Sequence, residues 1–223
     1  MKRVLVIAPH ADDELIGLGG SLLKWKEEGH IIKVVLVACS DIYMHHKDGI
    51  VSQEIRKQEF ALSCEALSTE SWSNYAFEDS KLDAVPITEI TKKLDDELKV
   101  FQPDVMVYPE PSYHQDHQIV NKACTSSLRP TSIHRPSKVM LYEIPTSGWV
   151  GSGQPFLPNL YVDISKQIEK KIELFESIYK SQFTNSERYK LASIGIVNHA
   201  KLRGFESSTE YAEAFKVLLD IER

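Results

Sequence analysis

Val4-Leu5-Val6-Ile7-Ala8, followed at once by Pro9-His10-Ala11-Asp12-Asp13-Glu14, is the stretch that decides the fold. Five apolar residues in a row, three of them β-branched, read as a strand buried on both faces, and strands of that kind belong to parallel sheets. Pro9 ends the run. His10 and the three acids therefore stand at the carboxyl end of a core strand, where a doubly wound α/β sheet keeps its chemistry.

Working outward, the spacing of Leu18, Leu22, Leu23 and Trp25 predicts a helix over Gly17 to Glu28, stopped by Gly29. Ile31 to Ala38 is a second buried strand. Helices follow over Ser52 to Leu67 and Pro86 to Phe101, then a third core strand, Asp104 to Tyr108, ended by Pro109. A helix over Asp116 to Leu128 and a strand over Val139 to Ile144 complete the alternation. The fold class is α/β: a Rossmann-like, mostly parallel sheet with helices on both faces and its site at the carboxyl ends of the strands. Beyond Pro145, Ser147 to Pro158 carries three glycines and two prolines and reads as a loop that flanks a site. A short strand over Leu160 to Val162 follows. Ser165 to Tyr179 and Glu187 to Arg203 read as helices, and Ser208 to Leu219 as a last short amphipathic helix. Residues 1–223 are expected to form one domain.

Composition fits this reading. The chain has 223 residues, 42% hydrophobic and 26% charged, with a net charge of −6. Lys and Arg form no basic run, which argues against a nucleic-acid partner. No stretch of about 18 apolar residues exists, so no membrane span is expected. Val4 to Ala8 is too short for the apolar region of a signal peptide. Cys39, Cys64 and Cys124 match no zinc-ribbon or redox spacing and read as reduced, buried thiols of a cytoplasmic protein.

Three acids in succession repel one another unless a cation neutralises them, and His with carboxylate is a donor set that suits Zn²⁺. The competing reading is an acidic cap for the following helix. The arrangement recurs after the third core strand, where His114-Gln115-Asp116-His117 precedes a helix. Neighbouring strand ends lie about 5 Å apart, so His10, Asp13 and one of the two later histidines can meet around one ion with a position left open. That is the pattern of a catalytic zinc. Gly17-Leu18-Gly19-Gly20 lacks the spacing and the lysine of a phosphate-binding loop and reads as a packing device.

At this level of detail the sequence resembles the LmbE-like or PIG-L-like zinc deacetylases. Their signatures, Pro-His-Pro-Asp-Asp-Glu and His-Pro-Asp-His, stand here as residues 9–14 and 114–117, with Ala11 and Gln115 in place of the usual prolines. Gly19-Gly20, Arg56-Lys57-Gln58-Glu59, Arg203-Gly204 and Tyr211 to Phe215 extend the likeness over most of the chain. The resemblance implies a zinc-dependent hydrolase that removes the N-acetyl group of an amino sugar of the N-acetylglucosamine type. It makes His10, Asp13 and His117 the zinc ligands and Asp12 the general base. It makes His114 the acid or electrostatic partner, with Asp116 setting its tautomer, and has Arg56 and Asp79 contact sugar hydroxyls. The expected partner is a small amino-sugar substrate; a homo-oligomer is left open. Tyr113 and Trp149 are candidate pocket aromatics, and His45-His46 with Asp48 reads as a polar loop at the substrate mouth. Two other functions compete: cleavage of another amide, such as a sugar-thiol conjugate, and a nucleotide-binding α/β module without chemistry.

Overall fold

The computed structural model describes residues 1–44, 48–145, 155–182 and 186–222. Strands β1 (Arg3–Ala8), β2 (Ile31–Ala38), β5 (Ser71–Phe77), β6 (Val105–Pro109), β7 (Lys138–Tyr142), β8 (Leu160–Asp163) and β9 (Ala212–Asp220) form one seven-stranded sheet in the order β5-β2-β1-β6-β7-β9-β8. The first five strands in that order run parallel. A short antiparallel hairpin, β3 (Ile42–Met44) and β4 (Gly49–Val51), stands apart.

The period of two along β1 distributes its side chains between two cores. Val4, Val6 and Ala8 pack in one with Leu15, Leu22, Phe60 and Phe175, from helices α1 (Asp13–Glu27), α2 (Gln53–Ala66) and α5 (Ile168–Ile178). Leu5 and Ile7 pack in the other with Leu94, Leu98 and Val120, from α3 (Ile87–Phe101) and α4 (Gln115–Ser127). The sixth helix, α6, spans Ser186–Ser207. Val4 of β1 lies level with Ile32 of β2 and with Val105 of β6. This register puts the turns that leave β1 and β6 side by side at the carboxyl edge.

Four elements differ from the sequence reading. Ser208 to Leu219 is not a helix: β9 runs antiparallel between β7 and β8. Helix α1 begins at Asp13 rather than Gly17 and is broken at Leu18, whose φ is −146°. Strand β5, whose side chains are mostly half-buried, lies in a stretch to which the sequence reading assigned no element, and the β3–β4 hairpin flanks the stretch read as a polar loop. Gly17 and Gly20 are packing positions, as expected: a Cβ at Gly17 would lie 2.5 Å from the Tyr142 ring and one at Gly20 2.8 Å from Ile164. The N–H groups of Gly20 and Ser21 are taken by the Glu213 carboxylate. All three cysteines are free and buried, and no helix among the described residues is long and apolar enough to cross a membrane. His45, His46, Trp149 and most of the loop from Ser147 lie outside the described residues.

Candidate active site

The turn after β1 and the turn before α4 converge. His10 Nδ1 lies 3.4 Å from Asp13 Oδ2, and His117 Nε2 lies 3.3 Å from the same oxygen. The three ligand atoms fall within 4.8 Å of one another, a group that could hold a metal ion. Asp13 and His117 are buried and His10 nearly so. The distal nitrogen of His10, Nε2, lies 2.9 Å from Asp116 Oδ2, and Asp116 also accepts backbone N–H groups from Ser80 and Leu82. A carboxylate behind a histidine in this way fixes its tautomer and ring orientation and leaves the other nitrogen for a metal. The Asp116 carboxylate therefore serves His10, whereas the sequence reading had it hold His114. The His114 ring is set instead by the backbone: its Nδ1 accepts the Asp116 N–H at 3.2 Å. The proton of the neutral ring then resides on Nε2.

Asp12 precedes α1 but makes no side-chain cap hydrogen bond, so the acidic-cap reading fails for it. Its backbone holds φ 123° and ψ −27°, a region that side-chain-bearing residues rarely enter and that costs about 1–3 kcal/mol. Asp12 O accepts from Leu15 N and Ile16 N, and Asp12 N donates to Glu14 Oε2 at 3.1 Å. Glu14 is fully buried and also accepts from Ser63 Oγ at 2.6 Å and from the Tyr179 hydroxyl. Glu14 stands in the first turn of α1, and the carboxylate that holds His10 Nε2 is that of Asp116 instead.

Arg56 and Asp79 find each other. Arg56 Nη1 lies 2.5 Å from Asp79 Oδ2, both side chains being almost wholly buried. Arg56 also donates to Ser40 O, while Asp79 accepts from Ser40 N. Asp79 Oδ1 comes within 4.0 Å of His10 Nε2. Both line a cleft of about 230 Å³ that also contains His10, Asp12, Asp13, His114 and His117. Ile16, Ile42, Met44 and Ile144 form its apolar wall, with half-exposed Tyr113 among the other lining residues.

The acids and bases of the cleft are strongly perturbed, in opposite directions. Burial lowers the His10 pKa, but hydrogen bonds to Asp116 and Asp13 outweigh it and raise the value to about 10. Burial raises Asp13, yet His117 and His10 together hold it far below the usual carboxylate range. Asp12 moves the other way: burial, then the neighbouring charges of Asp13 and Glu14, push it well above its ordinary value. Burial, aided by His10 and His117, lowers His114 to about 4, which keeps its ring neutral. Perturbed acids and bases converging in a cleft are a signature of a catalytic site.

Comparison with known proteins agrees with this geometry. Residues 5–128, more than half of the chain, match the family model described as PIG-L: GlcNAc-PI de-N-acetylase. The chain belongs to the PIG-L family. The diacetylchitobiose deacetylase of Thermococcus kodakarensis is 30% identical over 195 residues, which are 82% of this chain and 71% of the relative. A probable N-acetyl-α-D-glucosaminyl L-malate deacetylase of Bacillus cereus is 26% identical over 57% of this chain and 61% of its own length. Among solved structures, the N,N'-diacetylchitobiose deacetylase of Pyrococcus horikoshii superposes with a TM-score of 0.79 at 25% identity, covering 97% of this chain and 84% of that one. Like these PIG-L relatives, the protein is a deacetylase, a hydrolase acting on an amide bond, built on an α/β fold with a mostly parallel sheet.

Proposed function

We propose that this PIG-L protein uses zinc to hydrolyse the N-acetyl group of an amino sugar of the N-acetylglucosamine type, free or conjugated, and releases acetate. One observation carries the reading: His10 Nδ1 and His117 Nε2 flank Asp13 Oδ2 at 3.4 and 3.3 Å, in a cleft that also contains Asp12 and His114. Zinc bonds of about 2.0–2.2 Å at tetrahedral angles separate ligand atoms by about 3.3–3.6 Å, so both spacings fit that ion. Three protein ligands leave a place open, as catalytic zinc requires. The relatives named for diacetylchitobiose and for an N-acetylglucosaminyl malate support the sugar class, and three buried thiols fit a reducing cytoplasm.

A zinc ion held by His10, Asp13 and His117 supplies a Lewis acid for the amide carbonyl and for a water. Asp12, raised in pKa and off the metal, takes the proton of the attacking water. His114, neutral with its proton on Nε2, donates to the oxygen that gains charge; one such donor contributes about 3–4 kcal/mol. The Arg56–Asp79 pair meets the hydroxyls of the ring, and the apolar wall excludes water from its other side. Collapse of the tetrahedral adduct expels the amine, which takes back the proton that Asp12 received from the attacking water.

The test is acetate release from a panel of N-acetylhexosamine compounds and sugar-linked amides, with and without chelator. Turnover of an N-acetylglucosamine compound that stops on chelation and returns with zinc is expected. Asp12→Ala should keep its zinc and lose about 10²–10⁴-fold in kcat; His117→Ala should lose the zinc. Turnover of amides without acetyl groups alone would move the activity to the competing amidase reading.

A further inference from the structure

Glu14 follows the proposed base and the proposed ligand directly in sequence, yet it does not line the cleft. We infer that Glu14 is a positioning residue: it clamps the Asp12 backbone in its positive-φ conformation and so prevents the base from becoming the cap of α1. The inference rests on the deacetylase reading, in which Asp12 is the base.

The chemistry at the start of α1 sets up a competition. An aspartate just before a helix relaxes into extended backbone and lets its carboxylate accept an orphan N–H of the first turn. That relaxed arrangement would spend the carboxylate on the helix and turn it from the cleft. Asp12 does the opposite: φ is 123° and no cap bond forms. Its N–H goes to Glu14 Oε2. The other oxygen of Glu14 is fixed by two hydroxyls, Ser63 from α2 and Tyr179 at the end of α5. With Oε1 tied to two elements, Oε2 has one place to be, and the Asp12 N–H must come to it.

A plain helix-start acid accounts for the bond from the Asp12 N–H but not for the anchoring of its other oxygen. Such an acid needs only the exposed first turn and the dipole, whereas Glu14, Ser63 and Tyr179 are all fully buried. Burying a carboxyl group is costly even with donors, and a leucine would fill the space without that cost. The clamp also explains how Asp12 and Asp13, adjacent in sequence, divide their roles. Asp13 is the first residue of α1 and turns to the two histidines, while the reversed φ at residue 12 sends the preceding side chain on a different course.

The experiment compares Glu14→Ala, Glu14→Gln and Tyr179→Phe in three readouts: kcat against KM, zinc affinity by chelator competition, and the crystal structure around residue 12. In Glu14→Ala, residue 12 is expected to leave positive φ. Its kcat should fall by about 10²-fold, the scale of a misplacement near 1 Å, with KM and zinc affinity unchanged. Glu14→Gln, whose amide can still accept from Asp12, should recover most of the rate. Tyr179→Phe keeps the packing and loosens one anchor; it stands in if Glu14→Ala does not fold, with a smaller fall in kcat alone. Asp12 remaining at positive φ in Glu14→Ala would overturn the inference, whatever the rate. So would zinc affinity and KM failing in step with kcat, which marks a general structural role. Absence of acetate release by the wild-type protein sinks the proposed function instead, and the backbone readout still decides the clamp.

Discussion

Asp116 donates its backbone N–H to His114 Nδ1 and offers its carboxylate to His10 Nε2. One residue thus sets the tautomers of two histidines through two different groups. Asp116→Asn keeps the backbone donor and the shape but no longer offers a charged acceptor to His10. Its zinc affinity should fall about 10–100-fold, read by competition with a chelator of known affinity, while His114-dependent chemistry per bound zinc is retained. Arg56 presents a different case at the same scale. Removing it in Arg56→Met leaves the Asp79 carboxylate buried without its ion partner, and breaking such a pair costs about 3–5 kcal/mol. A urea titration should show that loss as a lower midpoint at unchanged slope. The convergence of His10, Asp13 and His117 was legible in the sequence because each sits in a short local motif next to a strand end. The part Glu14 plays was not, because its hydroxyl partners lie 49 and 165 residues away. The Asp116 pairing was misread for the same reason: nearness in sequence suggested His114, and the fold brought His10.

At the scale of elements, β9 was the principal misreading. Ala212 to Leu219 is rich in alanine, glutamate, lysine and leucine, all of high helix propensity, and its apolar residues also satisfy a helical stripe. Flanked by β7 and β8, its first four residues are buried on both sides, and from Lys216 exposed and half-buried positions alternate as in a strand. Context of that kind overrides propensity. The same strand delivers Glu213 to the break in α1. Where Leu18 leaves helical geometry, Glu213 accepts the N–H groups of Gly20 and Ser21 at 3.0 and 2.6 Å. Lys171 of α5 meets Glu213 at 2.7 Å and donates to Ile16 O at 2.6 Å. A helix broken in mid-course exposes unpaired groups on both sides, and this buried pair satisfies them. Lys171→Met should destabilise by about 3–5 kcal/mol. Lys171→Met combined with Glu213→Gln should cost less than the sum of the single changes, because the uncompensated charge is gone; a double-mutant cycle in urea measures both. Neither partner could be read from a helix pattern that gave no hint of a break.

Across the whole molecule, the order of strands and helices up to β7 followed from hydrophobic runs and their proline stops. The edge strand β5 did not, since half-buried residues carry only half a signal. The carboxyl-terminal third is tied back to the sheet by charge: Glu143, just after β7, meets Arg203 of α6 at 2.6 and 2.8 Å and has His199 Nε2 at 2.9 Å. Burial raises Glu143, but the bonds from His199 and Arg203 outweigh it, so its folded pKa lies below the ordinary glutamate value. A depressed carboxyl stabilises the fold above its unfolded pKa, about 4.3, and the contribution is lost as pH falls through the folded value. Urea midpoints should therefore drop on acidification below about pH 4.3. Glu143→Gln should start lower at neutral pH and show a shallower fall through that window. An identical acid profile in the variant would assign the loss to other carboxylates.

The reversed backbone at residue 12 has one more consequence. Glycine enters that region freely, so Asp12→Gly sheds about 1–3 kcal/mol of torsional strain against about 0.5–1 kcal/mol of added chain entropy in the unfolded state, and it deletes a carboxyl group held near two others. The variant should melt at a higher temperature than the wild-type protein. With Asp12 as the proposed base, durability and turnover are opposed at this position.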